Sequence, residues 1–276
     1  FYSLFSIPAN KGLYMEKFFR FNDRKIFYKD NGSGETIVLL HGYLETSAVW
    51  DSFAGKLAKN FRVIVPDIPG HGESDILGEV SSMELIATII KELLAGIGIK
   101  KVCLTGHSLG GYAALAFAEM YPDSLSGYCL FHSHPFADTP EALDKRKREI
   151  NLVLAGKKDL MYPDNVSRMF ATSNLGKFST ALQRSEKIAS SVSGEGIVAV
   201  LKGMIARPSR VLVMEKGSVP FLWIFGRMDN YINCDVMKAK VKLPSNAEIV
   251  ILEHSGHLGF IEEEDLSVKL LGSFAK

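Results

Sequence analysis

The sequence predicts an α/β fold: a mostly parallel, twisted sheet with helices on both faces and an inserted helical cap. Three observations carry that expectation. Short apolar runs alternate with helical segments through the first half of the 276-residue chain, the pattern of a parallel sheet covered on both sides. The alternation stops near Ser133, reads as helix to about Glu215, and gives way to strand signals again at Val219. Between an apolar run and a small-residue helix stands Gly106-His107-Ser108-Leu109-Gly110. A sharp strand-to-helix turn of this composition exposes a strained serine.

The elements follow in order. Phe18–Phe21 and Lys25–Lys29 read as two short strands split by a turn at Asn22-Asp23. Asn31–Gly34 is a loop, and Thr36–Leu40 is a fully apolar strand ending at His41-Gly42. A helix over Ala48–Lys59 places Trp50, Phe53 and Leu57 on one face. Phe61–Val65 is the next strand, stopped by Pro66-Asp67. A Ser-x-x-Glu-like start opens a helix over Ser82–Ala95. The strand before Ser108, its helix and the strand Leu125–Phe131 complete the first half. Four helices are expected in the insert, at Pro140–Ala155, Pro163–Ala171, Ser179–Ser190 and Gly196–Ala206. The strands Val219–Phe225 and Ala247–Leu252 and a helix over Glu263–Phe274 close the chain. The expected division is a core of residues 15–132 and 217–276, a cap of residues 133–216, and an N-terminal extension of residues 1–14 upstream of Met15, a candidate natural start.

Composition narrows the function. Lys and Arg number 32 against 31 acids, for a net charge of +1, so nothing steers the chain toward nucleic acid or an anionic membrane. No apolar run reaches the ~18–20 residues of a membrane span. The three cysteines have no CxxC or Cys/His metal spacing, and Cys103 and Cys129 fall inside apolar strands. A reducing, cytoplasmic setting is expected. So are the absence of a metal or organic cofactor and a monomeric or homodimeric state.

A serine hydroxyl is a weak nucleophile. It needs a base, and the base needs a third group to hold its tautomer. In open α/β sheets reactive groups sit just beyond the carboxyl ends of strands. Asp229 follows one late strand and His257 the next, in the order Ser108, Asp229, His257. Asp138 is the competing acid. Two backbone donors for a developing oxyanion are expected at Leu109, after the nucleophile, and at Tyr43 in the loop after His41-Gly42. His41 and His107 sit in sharp turns, where imidazoles more often make structural hydrogen bonds. His132 and His134 stand at the cap junction. These four are the candidates for contact with substrate.

With these residues in place the chain resembles the α/β-hydrolase superfamily, in the group with a helical cap. His41-Gly42 with Trp50 downstream resembles its oxyanion loop, and Pro66-Asp67-Ile68-Pro69-Gly70-His71-Gly72-Glu73-Ser74 its following structural loop. Gly106–Gly110 is similar to its nucleophile elbow, Gly226-x-x-Asp229 to its acid turn and Ser255-Gly256-His257 to its histidine loop. The resemblance covers Met15 to Phe131 and Val219 to Lys276. It implies a serine hydrolase acting on a small or medium carboxylic ester, or a related acyl compound, through an acyl-enzyme. Epoxide hydrolases and haloalkane dehalogenases carry aspartate where this chain has Ser108. C–C bond hydrolases or lyases of the same fold, and receptors that retain the triad, are the alternatives. In C–C hydrolases a glycine-rich oxyanion loop is usual, and here Tyr43-Leu44-Glu45 replaces it.

The cap has two readable features. Lys145-Arg146-Lys147-Arg148, interspersed with acids, is expected to be a solvated helix face rather than a docking patch for an acidic group. Met161, Met169, Phe170, Met204 and Met214 are expected in core or pocket wall, favouring a largely apolar substrate.

Overall fold

The computed structural model describes residues 15–276 and the backbone of Phe5–Ser6; the extension expected at residues 1–14 otherwise lies outside the described residues. The strands are β1 (Phe5–Ser6), β2 (Met15–Phe21), β3 (Arg24–Asn31), β4 (Thr36–Leu40), β5 (Arg62–Pro66), β6 (Val102–His107), β7 (Leu125–Phe131), β8 (Phe221–Gly226) and β9 (Ala247–Leu252). Among the described residues they form one sheet in the order β1-β2-β3-β5-β4-β6-β7-β8-β9. β1 through β3 and the β3–β5 pair are antiparallel; from β5 to β9 every pair is parallel. The β2–β3 turn puts Asn22 at φ 46° and Asp23 at φ 60°. Both central residues are left-handed, as a tight hairpin compatible with strand twist requires.

The helices are α1 (Asp51–Leu57), α2 (Met83–Gly96), α3 (Leu109–Met120), α4 (Pro140–Leu154), α5 (Tyr162–Ser167), α6 (Ser179–Ser191), α7 (Gly194–Ala206), α8 (Val211–Lys216), α9 (Cys234–Lys238), α10 (Gly259–Glu262) and α11 (Glu264–Phe274). The helix expected over Ala48–Lys59 is a 3-10 turn, Ser47–Trp50, followed by α1. Its start is set by Thr46, whose side chain accepts from the Ala48 amide. Ser82, Thr139 and Ser193 cap α2, α4 and α7 in the same way. The last helix is interrupted at Glu263, whose carboxylate accepts from the His254 amide and the Ser255 hydroxyl. No single helix among the described residues is long and apolar enough to cross a membrane.

Alternation along the parallel strands builds two cores. Val38, Leu40, Ile64, Leu104, Leu130 and Trp223 face α2 and α3. Ile37, Leu39, Val63, Cys103, Cys129, Leu222 and Ile224 face Trp50, Phe53 and Leu57 together with Phe260 and Leu271. Burying a side chain of this size contributes roughly 1.5–3 kcal/mol, so both faces anchor the strands whose ends carry the site. β4 lies between β5 and β6. The chain therefore leaves β4 toward one side and returns on the other, the strand-order reversal beside which α/β sheets open a crevice. The loops after β4 and β6 flank that crevice. All the chain between β7 and β8, α4 to α8, is helical or loop.

Candidate active site

Ser108 links β6 to α3 with φ 48° and ψ −111°. This left-handed turn is costly for a side chain other than glycine. It persists because its surroundings fix it. The Ser108 amide donates to Phe131 O at 3.1 Å, and Ser133 Oγ donates to Ser108 O at 2.7 Å. The flanking glycines let the strand and helix pass. A Cβ on Gly106 would stand 2.1 Å from Gly110 O, and one on Gly110 would stand 2.5 Å from Leu40 O. Ser108 is the N-cap of α3 and Leu109 its first residue, so the positive pole of the helix faces the hydroxyl.

Asp229 sits in the loop after β8. Its Oδ1 accepts from the amides of Tyr231 at 2.7 Å and Ile232 at 3.1 Å. Its Oδ2 accepts from His257 Nδ1 at 2.7 Å. Burial alone would raise this carboxyl, but the facing His257 and then His132 outweigh it and hold it well below the ordinary carboxylate range. His257, in the loop after β9, is pinned by its amide to Met169 O at 2.7 Å. With Nδ1 committed to Asp229, its Nε2 is the nitrogen available to a reacting group. Ser108 and His257 line one cavity of about 210 Å³, together with Tyr43, Tyr112, His134, Arg146, Asn165, Met169, Met204 and Tyr231.

The competing acid, Asp138, lines the same cavity but is engaged by two arginines rather than by His257. Arg146 Nε and Nη2 donate to it at 2.5 and 3.1 Å, and Arg207 Nη1 lies 2.8 Å away. Tyr43 lines the cavity, while Leu109 is buried beneath the elbow. The four histidines weighed as substrate contacts separate. His134 lines the cavity. His41 is wholly buried below it, with Nδ1 donating to Gly42 O and Nε2 accepting from the Ile68 amide, both at 2.9 Å. It stitches the loop after β4 to the loop after β5 and has no face for a ligand. His107 is buried against Glu45 and the His257 carbonyl. His132 is buried behind Asp229, its Nε2 accepting from the Gly259 amide at 3.2 Å.

One expectation for the insert needs correction. The basic run of α4 is not uniformly solvated: Lys147 and Arg148 are exposed, but Arg146 and Lys145 line the cavity. The Arg146 side chain is only 16% exposed. Of the five apolar residues, Met169 and Met204 form cavity wall, whereas Met161, Phe170 and Met214 are buried in the cores. That division between core and pocket wall is the expected one, and Tyr112, Arg146 and Asn165 add polar groups to the same wall. Tyr112, Asn165 and Tyr231 were not singled out from the sequence. Tyr112 lies one helical turn beyond Ser108, a spacing that could have marked it.

Fold and site together define a class. Residues 35–264 match the alpha/beta hydrolase fold family, and the chain belongs to it. It is similar, at 29% identity over 91% of its length and 98% of the relative, to a pimeloyl-[acyl-carrier protein] methyl ester esterase of Vibrio atlanticus. It is 28% identical, over 88% of each chain, to a 2-hydroxy-6-oxononadienedioate/2-hydroxy-6-oxononatrienedioate hydrolase of Dechloromonas aromatica. Among solved structures it superposes on a malate-bound thermophilic esterase of Thermogutta terrifontis with a TM-score of 0.87, 26% identity, and coverage of 99% and 97% of the two chains. Uncharacterized mycobacterial proteins match at 42% identity over 91 residues, and the chain spans 27% of their length.

Proposed function

We propose that the protein hydrolyses a small carboxylic ester through an acyl-enzyme on Ser108. The observation that carries this reading is the 2.7 Å contact between His257 Nδ1 and Asp229, with His257 and the strained Ser108 facing one cavity. His257 Nε2 takes the Ser108 proton as Oγ bonds to the ester carbonyl carbon. Asp229 stays ionised and stabilises the imidazolium. The amides of Leu109 and Tyr43 receive the oxyanion. The tetrahedral adduct collapses, the C–O bond breaks, and the alcohol leaves with the proton from His257. A water then gives its proton to His257 and its oxygen to the acyl carbon, releasing the acid and restoring Ser108. The cavity volume, about 210 Å³, is below the about 300–1,000 Å³ of sites for drug-sized ligands, which favours short chains. The pimeloyl ester esterase and the Thermogutta esterase support the reaction class.

The Dechloromonas relative, named as a hydrolase of a dienedioate, supports a second reading, C–C bond cleavage by the same residues. Multiple-turnover assays on a panel of short esters and on a ring-cleavage dienedioate separate the two. Ester turnover that Ser108→Ala abolishes is the expected result. Ester turnover unchanged in that variant would overturn the mechanism, and a single slow turnover would favour a ligand-binding receptor.

A further inference from the structure

The wall facing Ser108 offers more hydrogen-bond donors than a simple apolar ester can use. His134 sets up one of them. The Phe136 amide donates to His134 Nδ1 at 3.2 Å, so the ring proton resides on Nε2, which meets Tyr112 Oη at 3.1 Å. Burial, reinforced by Arg207, lowers the His134 pKa to about 3 and keeps the ring neutral. His134 therefore donates and the Tyr112 oxygen accepts, leaving the phenolic hydrogen for a ligand. The Arg207 guanidinium stands over the Tyr112 ring, 3.8 Å from its centroid, and draws electron density from it. Tyr112 and Ser108 share the cavity.

Arg146 supplies the second donor. It and Arg207 share the single carboxylate of Asp138, so this corner carries one positive charge in excess. Lys145 does not change the balance, because its Nζ lies 3.7 Å from Glu149 Oε1. A cation taken largely out of water is costly unless an anion completes it. A neutral ester cannot do so. A dianion would overshoot, adding repulsion against Asp138 and Glu149.

We propose that the substrate carries one carboxylate besides its scissile ester, and that Arg146 and the Tyr112 hydroxyl receive it. The inference rests on the ester-hydrolase reading and adds the substrate class to it. The carboxylate can belong to the acyl or the alcohol half, so the test has two arms. One compares monomethyl glutarate with methyl pentanoate; the other compares 4-acetoxybutanoate with butyl acetate. In at least one arm kcat/KM favours the carboxylate by about tenfold or more, the scale of one charge-assisted hydrogen bond, with the difference in KM. Tyr112→Phe and Arg146→Met each shrink that preference by about tenfold. The preference is a ratio within one preparation, so partial misfolding cancels, and Tyr112→Phe keeps the ring beneath Arg207. Equal or better turnover of both neutral esters overturns the inference while leaving the ester-hydrolase reading intact. So does a preference that neither substitution alters. No turnover of any of the four esters overturns that reading and this inference with it.

Discussion

His107, the residue before Ser108, donates through Nε2 to the main-chain carbonyl of His257 at 2.9 Å. Its Nδ1 meets Glu45 Oε2, also at 2.9 Å, and the same carboxylate oxygen accepts from the Gly42 amide at 2.5 Å. One buried imidazole thus ties the elbow to the loop after β9 and the loop after β4. Burial pushes the Glu45 carboxyl up, but the His107 beside it and the Gly42 amide hold it below its ordinary range. Each ring nitrogen of His107 thus faces an oxygen acceptor, one a carboxylate and the other a main-chain carbonyl.

Breaking that pair should be expensive. His107→Leu leaves the Glu45 charge buried without its partner, a loss on the order of 3–5 kcal/mol. Urea denaturation of the single variants and of His107→Leu/Glu45→Gln checks this. The double variant should be more stable than His107→Leu alone, because it removes the orphaned charge. A double variant that only sums the two losses would show that the contact is not an ion pair.

Gly42→Ala tests the same junction from the loop side. A Cβ there would stand 2.7 Å from His107 Nδ1 and 2.8 Å from Glu45 Oε2, so the loop must shift and carry the Tyr43 amide with it. Under the proposed mechanism kcat falls by about 10²–10³, the effect of losing one oxyanion donor, with KM little changed. Steady-state kinetics on a short ester reads the split. A rise in KM alone would place the damage in binding.

The parts of this molecule that the sequence discloses are those written in short-range pattern. The run Gly106–Gly110, the β2–β3 turn and the apolar strands depend on neighbours a few residues away, and their positions follow. What the sequence conceals depends on which way an element is turned by distant contacts. The basic run of α4 reads as one charged stretch, yet the helix rotation sends Arg146 to Asp138 and leaves Lys147 and Arg148 in water. His41 reads as a loop residue beside the site. The Ile68 amide, 27 positions away, claims its Nε2 and draws the ring beneath the cavity. Tyr231 reaches the site through its hydroxyl on Asn165 O, a partner in the insert that no local pattern announces.

Acid should destabilise the fold well above the carboxylate range. Burial lowers the pKa of His41 and His132 to about 4 and of His71 and His134 to about 3. The unfolded chain takes up these protons near pH 6.5, and the folded chain only near 4 or 3. Between those limits the unfolded state binds more protons, so stability falls as pH falls. One unit below pH 6.5 each histidine forfeits about 1.4 kcal/mol. Four together approach the roughly 5–15 kcal/mol stability of a typical domain. Urea midpoints at pH 7.5 and 5.5 should differ sharply, and His71→Leu should flatten the difference. A midpoint constant over that interval would contradict the buried neutral rings.

His132 makes two contacts that can be separated. Its Nε2 accepts from the Gly259 amide, so the proton sits on Nδ1, which faces Asp229 Oδ2 at 3.7 Å. That is too long for a hydrogen bond but close enough for the N–H pole to favour the carboxylate charge. His132→Asn keeps a nitrogen near the Nδ1 position and suits the left-handed backbone, φ 49°. It orphans the Gly259 amide, which costs about 1–3 kcal/mol of stability, while kcat holds within about threefold, roughly 0.6 kcal/mol. His132→Gln extends its amide toward the Nε2 position, keeps an acceptor for Gly259 and removes the pole from Asp229. There kcat falls by up to about tenfold, the worth of a weak polar contact, beyond what the fraction folded explains. Kinetics normalised to active-site titration, beside urea denaturation of both variants, gives the two readouts. If both variants lose stability and kcat in the same proportion, His132 merely fills its pocket and does not position Asp229.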